Sequence, residues 1–130
     1  MKKKLLFIAA ALLITATSFG QAKFNDWPEM RTFNSILAET FHPAEEGDLK
    51  PIKSRSHELF QNAKLINISP MPEKYDNEAV RKMVKKLVKE TDKLNALIVR
   101  DEQSTAVMKQ LNVVHDTYHE IAGMCKKEEK

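Results

Sequence analysis

Residues 76–98 read DNEAVRKMVKKLVKETDKLNALI, and their spacing decides the fold class. Apolar side chains and one threonine recur every three or four positions, at Val80, Met83, Val84, Leu87, Thr91, Leu94 and Ile98. This period places them on one face of an α-helix that begins at Asp76 or Asn77. The opposite face carries lysines at positions 82, 85, 86, 89 and 93, which is typical of a solvated helix surface.

A first helix is predicted from about Trp27 to Phe41. Asp26 is in place to cap its N-terminus, and Pro28 suits its first turn. We expect this helix to end at His42-Pro43, because the residue before a proline avoids the helical conformation. Its predicted core face consists of Trp27, Met30, Phe33, Leu37 and Phe41.

Two more segments have the same helical spacing. One begins near Asp48, with Pro51 in its first turn, and ends before residues 67–75, where two prolines prevent continuation. The other runs from about Glu102 to Lys126. Their predicted core faces are Ile52, Leu59, Phe60, Ala63 and Ile66 in the first, and Val107, Leu111, Val114, Tyr118, Ile121 and Cys125 in the second.

Four amphipathic helices with short loops predict an all-α, up-down-up-down antiparallel four-helix bundle. The boundary at residues 99–101 contains neither glycine nor proline. A single long helix, paired with its copy in a homodimer, is therefore the alternative for the last two segments, and both monomer and homodimer stay open.

A secretory signal peptide is predicted at residues 1–20, which read MKKKLLFIAAALLITATSFG. Its apolar region, Leu5 to Ile14, is short for a membrane span, which needs roughly 20 residues. Cleavage is expected after Gly20 or Ala22, which leaves residues 23–130 as one bundle domain in the periplasm or outside the cell. A retained membrane anchor is the weaker alternative, and no membrane contact is expected after cleavage.

The charge balance changes once the leader is removed. The whole chain has 21 Lys and Arg against 18 Asp and Glu, but three of the lysines lie at positions 2–4, so the remainder has 18 of each sign. This argues against nucleic-acid binding through phosphate contacts. One cysteine excludes an intramolecular disulfide framework, and three glycines leave no phosphate-binding loop.

The four histidines are scattered in sequence, at positions 42, 57, 115 and 119. Helices aligned at a rise of ~1.5 Å per residue bring all four within a slab of roughly 10 Å. His115 and His119 are four residues apart and therefore share a helix face, which is a common two-ligand platform for Zn²⁺, Cu²⁺ or Ni²⁺. His42, at the end of the first helix, is a third candidate ligand. Glu45, Glu46 or Asp48 is able to supply a carboxylate ligand or to orient an imidazole, and Asp116 and Glu120 flank the pair as candidate hydrogen-bond partners of the ligands.

The remaining candidate ligands are weaker. His57 lies far from the apolar stripe of its helix and is interpreted as a surface histidine, with metal ligation as the alternative. Cys125 lies on a core stripe and is interpreted as a buried thiol rather than a soft ligand or an intermolecular disulfide. Trp27 and Tyr118 are interpreted as core anchors whose polar atoms reach the surface.

The predicted architecture, with Met30 early in the first helix and histidines late in the fourth, resembles the cytochrome c-prime and soluble b-type cytochrome bundles. The resemblance implies haem b ligated by Met30 and His119, because b-type members use a methionine and a histidine at those places. Covalent haem attachment is excluded, because the chain lacks Cys-x-x-Cys-His. Residues 41–47 and 115–121 also resemble segments of uncharacterised small secreted bacterial proteins, which have Phe-His-Pro and His-Asp-x-x-His-Glu-Ile.

The sequence therefore predicts a secreted or periplasmic protein that binds Cu, Zn or Ni through His42, His115 and His119 for sequestration, delivery or sensing. A redox or metal-transfer protein is the expected partner. The alternatives are a haem b electron carrier and a purely structural or interaction module. No enzyme is expected, because Asp116 stands where the His-x-x-x-His motif of zinc proteases has glutamate.

Overall fold

The computed structural model describes residues 24–128, and this part of the chain is all helical. It contains four α-helices: α1 (Pro28–Glu45), α2 (Lys50–Ile68), α3 (Glu78–Val99) and α4 (Ser104–Lys127). A short 3₁₀ turn, Glu73–Tyr75, lies between α2 and α3, and residues 24–128 include no strand. The all-α prediction is confirmed. The predicted signal peptide and its cleavage site lie outside the described residues.

Helices that follow each other in the chain pack together, and α1 also contacts α4. The predicted core faces of α1 and α4 are buried along their whole length. Phe60, Met83 and Ile98, which were also predicted as core, are only half-buried. Between residues 24 and 128, no helix is long and apolar enough to cross a membrane.

The predicted end of α1 is wrong by one turn. The helix continues through Pro43 to Glu45. A proline in the last turn removes a single helical hydrogen bond, so it does not stop a helix that is already about to end. The carbonyl of Pro43 accepts backbone N–H groups from Glu46 (3.0 Å) and Asp48 (2.9 Å), which completes the turn. His42 is consequently a residue of α1 and projects from its last turn.

Two of the predicted N-caps are also wrong. Trp27 occupies the N-cap position of α1 without a side-chain hydrogen bond, and Asp26 instead pairs with Lys74, at 3.3 Å. α2 begins at Lys50, two residues after Asp48, whose carboxylate accepts the backbone N–H of Lys50 at 3.1 Å. Proline in the first turn, which lacks an N–H that would need a partner, supports both starts.

The two ends of α3 follow the sequence closely. The side chain of Asn77 caps the helix by accepting the N–H of Val80 at 2.9 Å. The break between α3 and α4 is confirmed, which excludes one continuous helix. Asp101 makes the turn with a φ of 58°, and α4 begins at Ser104, two residues later than predicted.

Five aromatic residues fill one end of the core, which we call the aromatic end: Phe24, Trp27, Phe33, Tyr75 and Tyr118. Trp27 stacks on Tyr75, with ring centroids 5.7 Å apart, and Phe33 stacks on Tyr118 at 5.6 Å. Trp27 and Tyr118 are buried, as predicted for core anchors, but the prediction that the polar atom of Trp27 reaches the surface is wrong. The indole N–H of Trp27 has no hydrogen-bond partner among the described residues, and burial raises the pKa of the Tyr118 phenol well above its usual range.

Candidate metal centre

An open groove lies between α1 and α4, next to the aromatic end, where the ring of Tyr118 stands edge-on to His119 with centroids 5.5 Å apart. We call it the imidazole groove, and its lining residues are Asn34, Leu37, Ala38, Phe41, His42, His115 and His119. Its volume is about 610 Å³. Three of the four histidines of the chain therefore line one concave surface, as the helical levels predicted.

His115 and His119 occupy successive turns of α4 and form the floor of the groove. Their ring centroids are 4.3 Å apart, with an angle of 61° between the ring planes. Both side chains are only partly exposed. The i, i+4 spacing produces this arrangement, because residues four apart lie one above the other on a helix. Two imidazoles at this separation are suited to share one ion between them.

The position of His115 is fixed from the side of α1. The ring of Phe41 stacks on the imidazole, with centroids 3.9 Å apart and planes inclined by 10°. The Asp116 carboxylate lies 3.4 Å from Nδ1 of His115. This distance is long for a hydrogen bond, but it places the carboxylate on the Nδ1 side of the ring, as beside many metal-binding histidines.

Electrostatics keep His119 neutral. Burial lowers the pKa of His119 below its ordinary value, the nearby His115 lowers it further, and Asp116 offsets part of this effect. An imidazole must be unprotonated to ligate a metal. His119 is consequently in its ligating form at neutral pH.

His42 borders the groove but does not point its ring at the other two imidazoles. Its side chain is 71% exposed, and Nδ1 lies 3.6 Å from Oε1 of Glu45, which is too long for a hydrogen bond. Its ring stands edge-on to Phe41, at 6.2 Å. Within residues 24–128, no group of three His, Cys, Asp or Glu side chains is assembled to hold a metal ion.

The weaker candidates lie apart from the groove. His57 is exposed on α2 and contacts the side chain of Gln61 at 3.1 Å. Glu46 is exposed at the C-terminal end of α1, and Cys125 is fully buried in the core, as its stripe predicted. Met30, the haem ligand implied by the cytochrome resemblance, is also fully buried and is absent from the residues that line the groove.

Two lining residues were missed at the level of sequence, Asn34 and Ala38. They precede His42 by eight and four positions, so a helical face at i, i+4, i+8 was available as a signal. Phe41 was predicted only as a core residue, whereas its ring also carries the stacking contact with His115.

No protein-family model matches this chain, and no curated protein and no solved structure is similar to it. The functional argument therefore depends on the geometry of the groove itself.

Proposed function

We propose that this protein binds a divalent transition-metal ion, Cu²⁺, Zn²⁺ or Ni²⁺, in the imidazole groove. His115 and His119 are the primary ligands. The observation that carries the proposal is the pair of partly buried imidazoles 4.3 Å apart, one of them braced by a stacked phenyl ring and a carboxylate. Metal-ligating histidines commonly have such a carboxylate partner.

His42 is the third ligand in this proposal. Its exposed side chain has no short hydrogen bond to break within residues 24–128, so a change of rotamer costs little. The rotation would bring a third imidazole over a groove that His42 already lines. Metal binding then fixes the His42 side chain in one rotamer.

The donor set favours borderline metal ions. Imidazoles suit Zn²⁺, Cu²⁺ and Ni²⁺, whereas thiolates and thioethers select softer ions such as Cu⁺. The described part of the groove has neither sulfur ligand, because Cys125 and Met30 are in the core. Among these three ions, the Irving–Williams order gives Cu²⁺ the highest affinity.

The cellular setting belongs to the same proposal. We infer an up-down-up-down bundle, because the loops are short and consecutive helices pack together. The ring contacts Phe33–Tyr118 and Phe41–His115 run in opposite chain directions on α1 and α4, which supports antiparallel helices. The predicted leader at residues 1–20 supports export, and sequestration, delivery or sensing of the metal, without catalysis, fits a small bundle with this groove.

Haem b ligation by Met30 and His119 is the less favoured function. Met30 is enclosed by the core, so a porphyrin that reached it would have to open α1 from its neighbours. A haemin titration that produces a Soret band would support the haem protein instead of our proposal.

The test is calorimetric titration of the purified, tag-free chain with Cu²⁺ and with Zn²⁺, together with elemental analysis of the dialysed complex. We expect about one equivalent of metal, and an affinity at least about tenfold lower for His115→Ala and for His119→Ala. His57→Ala is the matched control, because it removes an exposed histidine outside the groove and should leave the affinity unchanged. No saturable heat with either ion, or equal loss in the control, would overturn the proposal.

A further inference from the structure

The imidazole groove is far larger than a metal ion requires. Its volume is about 610 Å³, whereas a single water molecule takes about 30 Å³. Sites for small organic molecules typically measure about 300–1,000 Å³. The dimensions of the groove therefore match those of a small organic ligand.

The groove also has too few ligands for a metal. It offers two placed imidazoles and a third after His42 rotates, and its lining among the described residues includes no carboxylate and no thiol. Four-coordinate Zn²⁺ or Cu²⁺ retains at least one open position with three ligands and two with a pair. A metal ion held by these imidazoles would keep positions for a second ligand, and the groove has room for one.

The wall formed by α1 supplies one more polar group. Asn34 lies eight residues before His42, about 12 Å along the helix, and its exposed side chain makes no hydrogen bond within the described part of the chain. Between them the wall is apolar, with Leu37 and Ala38. An amide at this distance is suited to donate its N–H to a carboxylate of a molecule that is held on the metal.

We propose that the groove takes up the metal already complexed with a small carboxylate chelator, and forms a ternary complex. His115 and His119 each replace a water on the metal, and the chelator keeps the remaining positions. The Asn34 amide donates to one of its free carboxylate oxygens. This inference rests on the proposed metal site and names the form in which the metal arrives. The negative charge of the chelator also offsets the positive charge of the metal ion, because the described lining of the groove contains no carboxylate.

Equilibrium dialysis with radiolabelled citrate tests this directly. The full chain is dialysed against citrate with and without equimolar Cu²⁺, and both protein-bound copper and protein-bound citrate are measured. We expect about one citrate per chain in the presence of copper and none in its absence. His115→Ala should lower the retention of both at least about tenfold.

Asn34→Leu separates recognition of the chelator from binding of the metal. The variant should retain citrate about tenfold more weakly, the effect expected for loss of a hydrogen bond to a charged group, and should bind Cu²⁺ alone as the parent does. Asn67→Leu, an exposed asparagine near the end of α2, is the matched control and should change neither quantity.

The outcomes distinguish the two proposals. If copper alone binds at one equivalent but citrate strips it from the protein or is not retained, the ternary complex is overturned and the metal site stands. If Asn34→Leu and Asn67→Leu retain citrate equally, the recognition of the chelator by the groove is overturned. If neither copper nor citrate binds, both proposals fail.

Discussion

Two ring stacks join α1 to α4, Phe33 on Tyr118 at one end and Phe41 on His115 at the other. The first is enclosed by Phe24, whose ring lies 6.4 Å from Tyr118, and is fully buried. The second borders an open groove, and its imidazole partner is partly exposed. The same kind of contact is thus part of the closed core at one end and of an accessible site at the other.

The difference comes from the neighbours of each stack. The ring of Phe24 packs edge-on against Tyr118, whereas Asn34 and Ala38, beside the second stack, are too short to fill the space. The short side chains at these two positions leave a groove of about 610 Å³ that is open to solvent and therefore accessible to a ligand. Substitutions at the aromatic end should therefore mainly lower stability, whereas substitutions beside the groove should mainly lower ligand affinity.

The largest expected effect is the loss of stability on opening the aromatic end. Phe33→Ala removes a fully buried ring and should lower the free energy of unfolding by about 3–5 kcal/mol. Phe60→Ala is the control, since Phe60 is half-buried and contacts Lys64 at the surface, and its loss should be clearly smaller. Urea unfolding followed by circular dichroism measures both, and equal losses would contradict the role assigned to the aromatic end.

A smaller and more selective effect is expected from the stack in the groove. Phe41→Leu keeps most of the apolar volume and should cost less than about 1.5 kcal/mol of stability. It removes the flat surface that holds His115, so the affinity for Cu²⁺ should fall about tenfold.

Phe33→Leu provides the matched comparison for that substitution. It makes the same change in the other stack, where the ring partner is Tyr118 and not a proposed metal ligand. Because the ring of Tyr118 stands edge-on to His119 at 5.5 Å, calorimetry should find a loss of Cu²⁺ affinity that is clearly smaller than in Phe41→Leu. Equal loss of affinity in both variants would mean that general loosening of the bundle, and not the position of His115, controls binding.

The periodicity of apolar residues predicted most of the fold, because each helix buries one face and the 3.6-residue period is a direct record of that face. The predictions failed at helix ends, where a preference of a single residue competes with other contacts. The rule that a residue before proline leaves the helix placed the end of α1 at His42, but Pro43 in a last turn costs only one hydrogen bond. Likewise Asp26 was a good N-cap by type, and an ion pair with Lys74 from a distant segment took its side chain instead.

The site was predicted in part, for a similar reason. The i, i+4 spacing and the height of each residue along its helix predicted that His115, His119 and His42 lie close together, because both are calculated from the number of residues between them. The stacking of Phe41 on His115 and the openness beside Asn34 depend on how α1 and α4 are rotated toward each other, and a single sequence does not specify that rotation. The expected third ligand therefore stands at the groove without being assembled into a three-ligand cluster in the described residues.

The smallest expected effect concerns pH and separates the two ends electrostatically. Because burial holds the pKa of His119 below its ordinary value of 6.5, the unfolded chain binds more protons than the folded chain once the pH falls below that value. The stability that His119 contributes is fully present above pH 6.5 and declines as the pH falls from there toward the lowered pKa of the folded state.

In buffer with EDTA, His119→Gln should therefore flatten part of the fall in unfolding free energy between about pH 7 and pH 5, because glutamine does not titrate. NMR titration of the imidazole in the folded protein is the direct control, and a value at or above 6.5 would contradict this account. The same neutrality means that a metal ion at His119 has little proton competition at neutral pH, so the open end loses stability in acid but presents a ligand that is ready to bind.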